Sequence, residues 1–274
     1  MEGITTMKAK NEFSPHHIKY VNSLKRENVI VLTMQLSMLV CLLGLWELFA
    51  YFGIIDPFIT SSPSKIIATI KQLFIENNLL YHIFITLYET ILGFLIAITT
   101  GFISVLILWW SQRIRRILEP YIGVLNSLPK IALGPIIIIW FGSGQKAIIF
   151  MSVLIGVVVA TITMLNGFLE TDNDKITLLK SLGANKFQIL TKLVIPGNLP
   201  TFISMLKISV GMAWIGSIMG EYLVSRAGLG YLIVYGGQVF KLDLVMASTI
   251  ILCLLATLMY LLIVLLEKRI IKYK

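Results

Sequence analysis

Charge is scarce in this sequence. Only 14% of its 274 residues are Asp, Glu, Lys or Arg, 57% are hydrophobic, and the mean hydropathy is +0.87. A soluble domain of this length has no interior large enough to hide that much apolar surface. Cysteine is nearly absent. Cys41 and Cys253 both stand inside apolar runs and read as free thiols acting as small hydrophobes. The three histidines, His16, His17 and His82, do not cluster with metal-ligand spacing, so neither metal nor cofactor is expected. No GKS or GKT phosphate loop, no Gly-x-Ser-x-Gly and no His-Glu-x-x-His occurs, which leaves no ATPase motif, no catalytic residue and no enzyme reading for the chain itself.

Long charge-free runs are what the sequence does contain. Asn28–Trp46 has 19 residues, and Thr90–Gln112, Ala147–Leu169 and Leu244–Leu266 have 23 each. A helix needs about 20 residues to cross a bilayer. Two further candidates, 121–141 and 203–224, each carry one lysine, Lys130 and Lys207. Six spans result, with both termini on one side: an all-α, polytopic membrane protein. The first run is too long for a signal-peptide core, and Phe49-Ala50-Tyr51 offers no small-residue cleavage site. Residues 1–28 read as a polar, basic, partly disordered cytoplasmic leader, and 29–274 as the membrane domain.

Basic residues set the expected orientation. With the N-terminus inside, sixteen Lys and Arg fall in inner segments and five in outer ones, Lys65, Lys71, Lys146, Arg226 and Lys241. The formal charge of +9 is thus a topology signal. No basic patch with interleaved aromatics stands apart from the membrane flanks, so nucleic acid is not an expected partner. Between the first two spans, Asp56-Pro57 marks a turn, and Ser64 is the expected cap of an amphipathic helix with Ile66, Ile67, Ile70, Leu73 and Phe74 on one face. Glu47, at the outer end of the first span, needs no special role. Lys207 reads as snorkelling to the cytoplasm.

The inner loop between Gly167 and Thr201 (about 168–201) is the one long polar interruption. Ile176, Leu178, Leu179 and Leu182 give one side of a short helix, which Gly183 stops by taking a left-handed backbone. Asn185 then caps a second segment, Lys186–Val194, with Phe187, Ile189, Leu190 and Leu193 apolar, and Pro196 ends it. Two short helices meeting at Gly183-Ala184 form a knob with apolar positions exposed. Either it lies on the inner leaflet, or it is a peg for a cytoplasmic partner, the reading that an apolar surface at a fixed turn favours.

These residues resemble a family. Thr177-Leu178-Leu179-Lys180-Ser181-Leu182-Gly183-Ala184, then Phe187, Pro196 and Pro200, is similar to the EAA loop of ABC importer permeases. The likeness continues through Ala213-Trp214 and Glu221 to Gly228-Leu229-Gly230, and covers about 84–270. It departs at Thr177-Leu178-Leu179, where the family has Glu-Ala-Ala. Asn126-Ser127-Leu128-Pro129-Lys130-Ile131-Ala132-Leu133-Gly134-Pro135, ending Trp140-Phe141-Gly142, resembles the nitrate/sulfonate/taurine branch, which also includes permeases for thiamine pyrimidines and riboflavin-like vitamin precursors.

The resemblance implies a type I ABC importer permease with a cytoplasmic coupling-helix loop, sited in the bacterial cell membrane. Its implied partners are a second copy of itself, two cytoplasmic ABC ATPase subunits and an extracytoplasmic substrate-binding protein that delivers a small anionic or polar solute. The coupling residues would be Leu178, Leu179, Leu182, Gly183, Ala184, Phe187 and Pro196. Path candidates are Lys130, Pro129, Pro135, Trp214 and Glu221. Physically, Pro129 and Pro135 each remove a helix donor and kink the span. Lys130, near mid-membrane, either lines an anion path or pairs within the bundle. Glu221 is either a gate or a packing group. An ion-coupled secondary transporter is the rival reading, against which stand the absence of an inverted repeat and the few intramembrane carboxylates.

Overall fold

The computed structural model describes residues 15–76 and 78–270, and every regular element among them is helical. The chain divides into two units, Met1–Lys65 and Ile66–Lys274. In the first, α1 runs Pro15–Tyr51 and α2 Pro57–Thr60. α1 starts at Pro15 rather than near residue 29, because proline suits a first helical turn and nothing from 16 to 28 breaks a helix. Part of the expected leader is therefore helix; residues 1–14, Lys272 and Lys274 lie outside the described residues. From Val29 to Phe49 the apolar side chains are almost all exposed, a surface that hydrocarbon covers and water does not.

Asp56 caps α2, accepting the Phe58 N–H at 2.9 Å. The next helix, α3 (Pro63–Glu76), corrects the expected cap. Glu47 Oε2 accepts the Ser64 N–H at 3.1 Å, Glu47 Oε1 accepts the Ser64 hydroxyl at 2.7 Å, and Ser62 Oγ accepts the Lys65 N–H at 3.4 Å. Ser64 is inside the helix, and Glu47 takes the capping role because a carboxylate at a helix N-terminus satisfies free N–H groups and opposes the dipole.

The second unit continues with α4 (Leu79–Trp110), α5 (Gln112–Ser127), a 3₁₀ turn (Lys130–Leu133), α6 (Gly134–Phe141), α7 (Gln145–Leu169) and α8 (Asn173–Ser181). Then come α9 (Lys186–Ile189), a π turn (Leu190–Val194), the short turn Ile195–Gly197, α10 (Leu199–Val224), α11 (Leu229–Gln238) and α12 (Leu242–Ile270). Among the described residues five helices are long and apolar enough to cross a membrane, and the pair α5 and α6 makes a sixth if taken as one span.

That pair is bent by 88°, so the single kinked span expected over 121–141 is a broken one. Leu128 is held extended ahead of Pro129 (φ −64°, ψ 137°), as residues before proline are. Pro135 sits in the first turn of α6, where it opens a helix instead of kinking one.

α4, α7 and α10 form the centre of the unit, and α12 packs on α10 and α11. Small residues let the backbones close up: a Cβ on Gly220 would lie 2.9 Å from Ile148 Cα, and one on Gly101 3.1 Å from Ala160 Cβ. In lipid such contact, rather than hydrophobicity, holds helices together. Ser152 Oγ on α7 donates to Ala213 O on α10 at 3.1 Å. Lys207 has a partner toward the end of the last span. It pairs with Glu267 of α12 at 2.7 Å.

Candidate functional site

The connection between α7 and α10 is built from caps. Asp172 accepts the Asp174 N–H at 2.9 Å and starts α8. At its end Ala184 N–H reaches Leu179 O (2.9 Å) and Gly183 N–H reaches Lys180 O (3.0 Å), the pair of bonds that closes a helix around a left-handed residue. Gly183 is that residue, with φ +81°, and nothing lies within 4 Å of where its Cβ would be. Asn185 Oδ1 accepts the Gln188 N–H and Gln188 Oε1 accepts the Asn185 N–H, both at 2.8 Å, a reciprocal box that fixes the start of α9.

Pro196 does not end this segment. Ile195 N–H bonds Leu190 O across a wider, π-type turn. Widening the turn moves the carbonyl that the proline ring would strike and needs no N–H from it, so helix continues to Gly197. The break comes at Asn198, whose amide donates to Thr171 Oγ1 (2.9 Å) and Val194 O (2.8 Å) and ties the two ends of the connection together.

The apolar residues of the connection split into two sets. Ile189, Leu190 and Val194 are buried with Val105 and Leu108 of α4 and Met164, Leu165 and Phe168 of α7, and Ile176, Leu179, Ala184 and Leu193 pack alongside. Leu178, Leu182 and Phe187 point away, 59%, 74% and 61% exposed. Ile189 and Leu190 thus anchor the knob instead of forming its surface. Lys186 adds a clamp: its Nζ donates to Trp110 O at the end of α4 and stands 5.5 Å and 5.4 Å from the Trp109 and Trp110 ring centroids. A cation there meets both the ring faces and the negative end of the helix. The Lys186–Trp110 and Asn198–Thr171 bonds join residues 76 and 27 positions apart, so no local pattern in the sequence announces them.

Of the path candidates, Lys130 opens the 3₁₀ turn and gives its Nζ to Asn126 O at 3.1 Å. Pro129 lies at the bend and Pro135 at the start of α6. Trp214 is buried in α10 with no partner for its indole N–H among the described residues. Glu221, 1% exposed, accepts the Gly230 N–H at 2.5 Å. The neighbouring N–H groups are also taken: Gly228 by His82 Nδ1 at 3.0 Å, Leu229 by Thr86 Oγ1 at 2.8 Å. Three side chains of α4 and α10 therefore cap α11. Gly228 has φ +115°, and a Cβ on it would fall within 2.6 Å of the Glu221 carboxyl, which explains glycine at that position. Glu89, also fully buried, has no such donors.

The model of the binding-protein-dependent transport system inner membrane component family matches residues 90–272. A probable ABC transporter permease protein of Haemophilus influenzae is 34% identical over 80% of this chain and 89% of its own length. The taurine transport system permease protein TauC of Escherichia coli is 26% identical over 83% of this chain and 84% of its own. The formylaminopyrimidine transport permease protein ThiX of Halalkalibacterium halodurans is 30% identical over 69% and 75%. Among solved structures, an inward-facing conformation of the MetNI methionine ABC transporter superposes with a TM-score of 0.62 at 18% identity, over 69% of this chain and 94% of that one.

Proposed function

The chain belongs to the family of binding-protein-dependent transport system inner membrane components, close to its taurine and sulfonate permeases, and from that premise we propose that it forms the translocation path of an ATP-driven importer. In this reading two copies line one path, and an ABC ATPase docks on the connection of each copy at the cytoplasmic face. A substrate-binding protein delivers a small polar solute from the other side. The coupling set is Leu178, Leu179, Leu182, Gly183, Ala184, Phe187 and Pro196; the path set is Lys130, Pro129, Pro135, Trp214 and Glu221.

The observation that carries the proposal is the split within the connection. Leu178, Leu182 and Phe187 are exposed on a segment capped at every turn and rooted in α4 and α7. A stiff element with a bare apolar tip suits a socket, and a push on it reaches the spans without being absorbed by the loop. The ion-gradient reading loses its ground with family membership. Sulfonate-type solutes are the first expectation; the 30% identity to ThiX supports an aminopyrimidine vitamin precursor as the second.

Co-purification tests the docking. The tagged wild-type chain is expected to bring its ATPase through detergent extraction, whereas Leu182→Asp, at a site 74% exposed, inserts normally and loses it. Equal ATPase recovery with the aspartate in place contradicts the proposal.

A further inference from the structure

No side chain of α5 is buried, yet the helix has a well-marked apolar face. Arg115, Leu118, Ile122 and Leu125 recur at spacings of three and four and share one stripe. Leu118, Ile122 and Leu125 line a cavity of about 300 Å³ backed by residues of α4 and α7, at the lower end of the range of roughly 300–1,000 Å³ that holds ligands. The chain itself does not cover this lining: Leu118, Tyr121 and Leu125 are exposed. The hydroxyls that α4 and α7 bring to it are spent, since Ser104 donates to Thr100 O at 2.8 Å and Thr161 to Val157 O at 2.7 Å. A polar solute therefore gains little here, and an apolar chain fits.

Arg115 stands on the same stripe one turn before Leu118, with Arg113 and Arg116 beside it. Cations in a first turn oppose the helix dipole, and no acid of the chain answers them. Glu119 lies four residues after Arg115 and three after Arg116, but the ion pairs among the described residues join Lys175 to Asp172 and Lys207 to Glu267. An occupant suited to both features carries an apolar chain and, about 5 Å further along the helix, an anion. We propose that an anionic phospholipid binds here, with one acyl chain in the cavity and its phosphate on Arg113, Arg115 and Arg116. Guanidinium forks match phosphate oxygens, and basic groups beside a gap between spans suit an anionic headgroup. A zwitterionic lipid brings a cation of its own to the same arginines and is disfavoured. The inference does not depend on the solute or on the ATPase; it gives the spans a lipid partner.

The test is photolabelling of the transporter, purified with its ATPase, in nanodiscs of dioleoylphosphatidylcholine. A minor share of the lipid is replaced by a probe with a diazirine on its acyl chain, bearing either a phosphatidylglycerol or a phosphatidylcholine headgroup. Peptide mass spectrometry compares α5 with α12, whose exposed Leu254, Leu258 and Leu262 report contact with bulk lipid. The phosphatidylglycerol probe is expected to label residues 118–125 at least about five-fold more than the phosphatidylcholine probe, with α12 labelled equally by both. Arg115→Gln combined with Arg116→Gln is expected to bring that ratio near one; where this variant fails to assemble, the wild-type ratio decides alone. Equal labelling of 118–125 by the two probes overturns the proposal, and so does a preference that survives loss of the arginines. Labelling of α12 with none at 118–125 overturns it in favour of a second copy covering the cavity. Sodium glycerol phosphate is expected to leave the ratio unchanged; a ratio that it abolishes, and that sodium chloride of equal ionic strength does not, assigns the arginines to a soluble anion instead.

Discussion

Gly228 and Gly237 stand in or beside α11 and differ in what surrounds them. At Gly228 a side chain meets the Glu221 carboxyl within 2.6 Å and a φ of +115°, while at Gly237 nothing lies within 4 Å. Gly228→Ala is therefore expected to cost on the order of 1–3 kcal/mol, the range for overpacking and a strained backbone. Gly237→Ala, inside a helix, is expected to be neutral or to gain up to about 1 kcal/mol. Thermal unfolding of the purified protein in detergent separates them; equal shifts in Tm would contradict the packing described for Glu221. Local chemistry was legible at this scale. Gly183 as a helix stop and Asn185 as a cap were readable because their partners lie within five residues. The capture of Lys186 by Trp110, 76 residues away, and of the α11 N-terminus by His82 and Thr86 was not, because nothing in sequence distance announces such pairs.

At the scale of elements the connection behaves as a rigid bracket. Asn185→Ala removes one half of the box with Gln188, a loss of about 1 kcal/mol, which corresponds to roughly a five-fold rise in local opening. Hydrogen–deuterium exchange across Lys186–Ile189 is expected to speed up by that factor while α4 and α7 keep their protection. Unchanged exchange would show that burial of Ile189 and Leu190 alone fixes α9. Four spans were legible from uncharged length and fall where the charge-free runs predict, and a fifth, Leu199–Val224, covers the lysine-bearing candidate 203–224. The bend between α5 and α6 and the π turn before Pro196 were not. Proline announces a disturbed backbone, but whether the chain kinks, breaks at 88° or widens a turn depends on what packs against it. Val194, fully buried, holds the π turn against its core neighbours.

For the whole molecule, the six-span reading with the N-terminus inside puts sixteen basic residues in inner segments and five in outer ones, and so predicts a definite topology. A cysteine at Lys180, exposed on α8, is expected to be shielded from an impermeant thiol reagent in intact cells, and one at Lys65 to react. Labelling at 180 from outside would invert the proposed orientation. Family membership was legible because its motif, from Leu182 to Gly230, sits on the connection and on α10 and α11, which carry the caps found in the structure. The solute was not, since the path candidate Lys130 finds its partner, Asn126 O, within the chain. The central claim is that the apolar tip of the connection couples an ATPase to the path. The direct measurement is ATP hydrolysis and solute uptake recorded together in proteoliposomes holding the complete transporter, for the wild type and for Gly183→Asp. That variant forces a side chain to adopt φ +81° in open space and sets a carboxylate beside the exposed Leu178 and Leu182. The account expects uptake to fall at least about ten-fold, a change of about 1.4 kcal/mol in coupling, with hydrolysis either lost or continuing without transport. Uptake and hydrolysis both at wild-type rates in Gly183→Asp would contradict it.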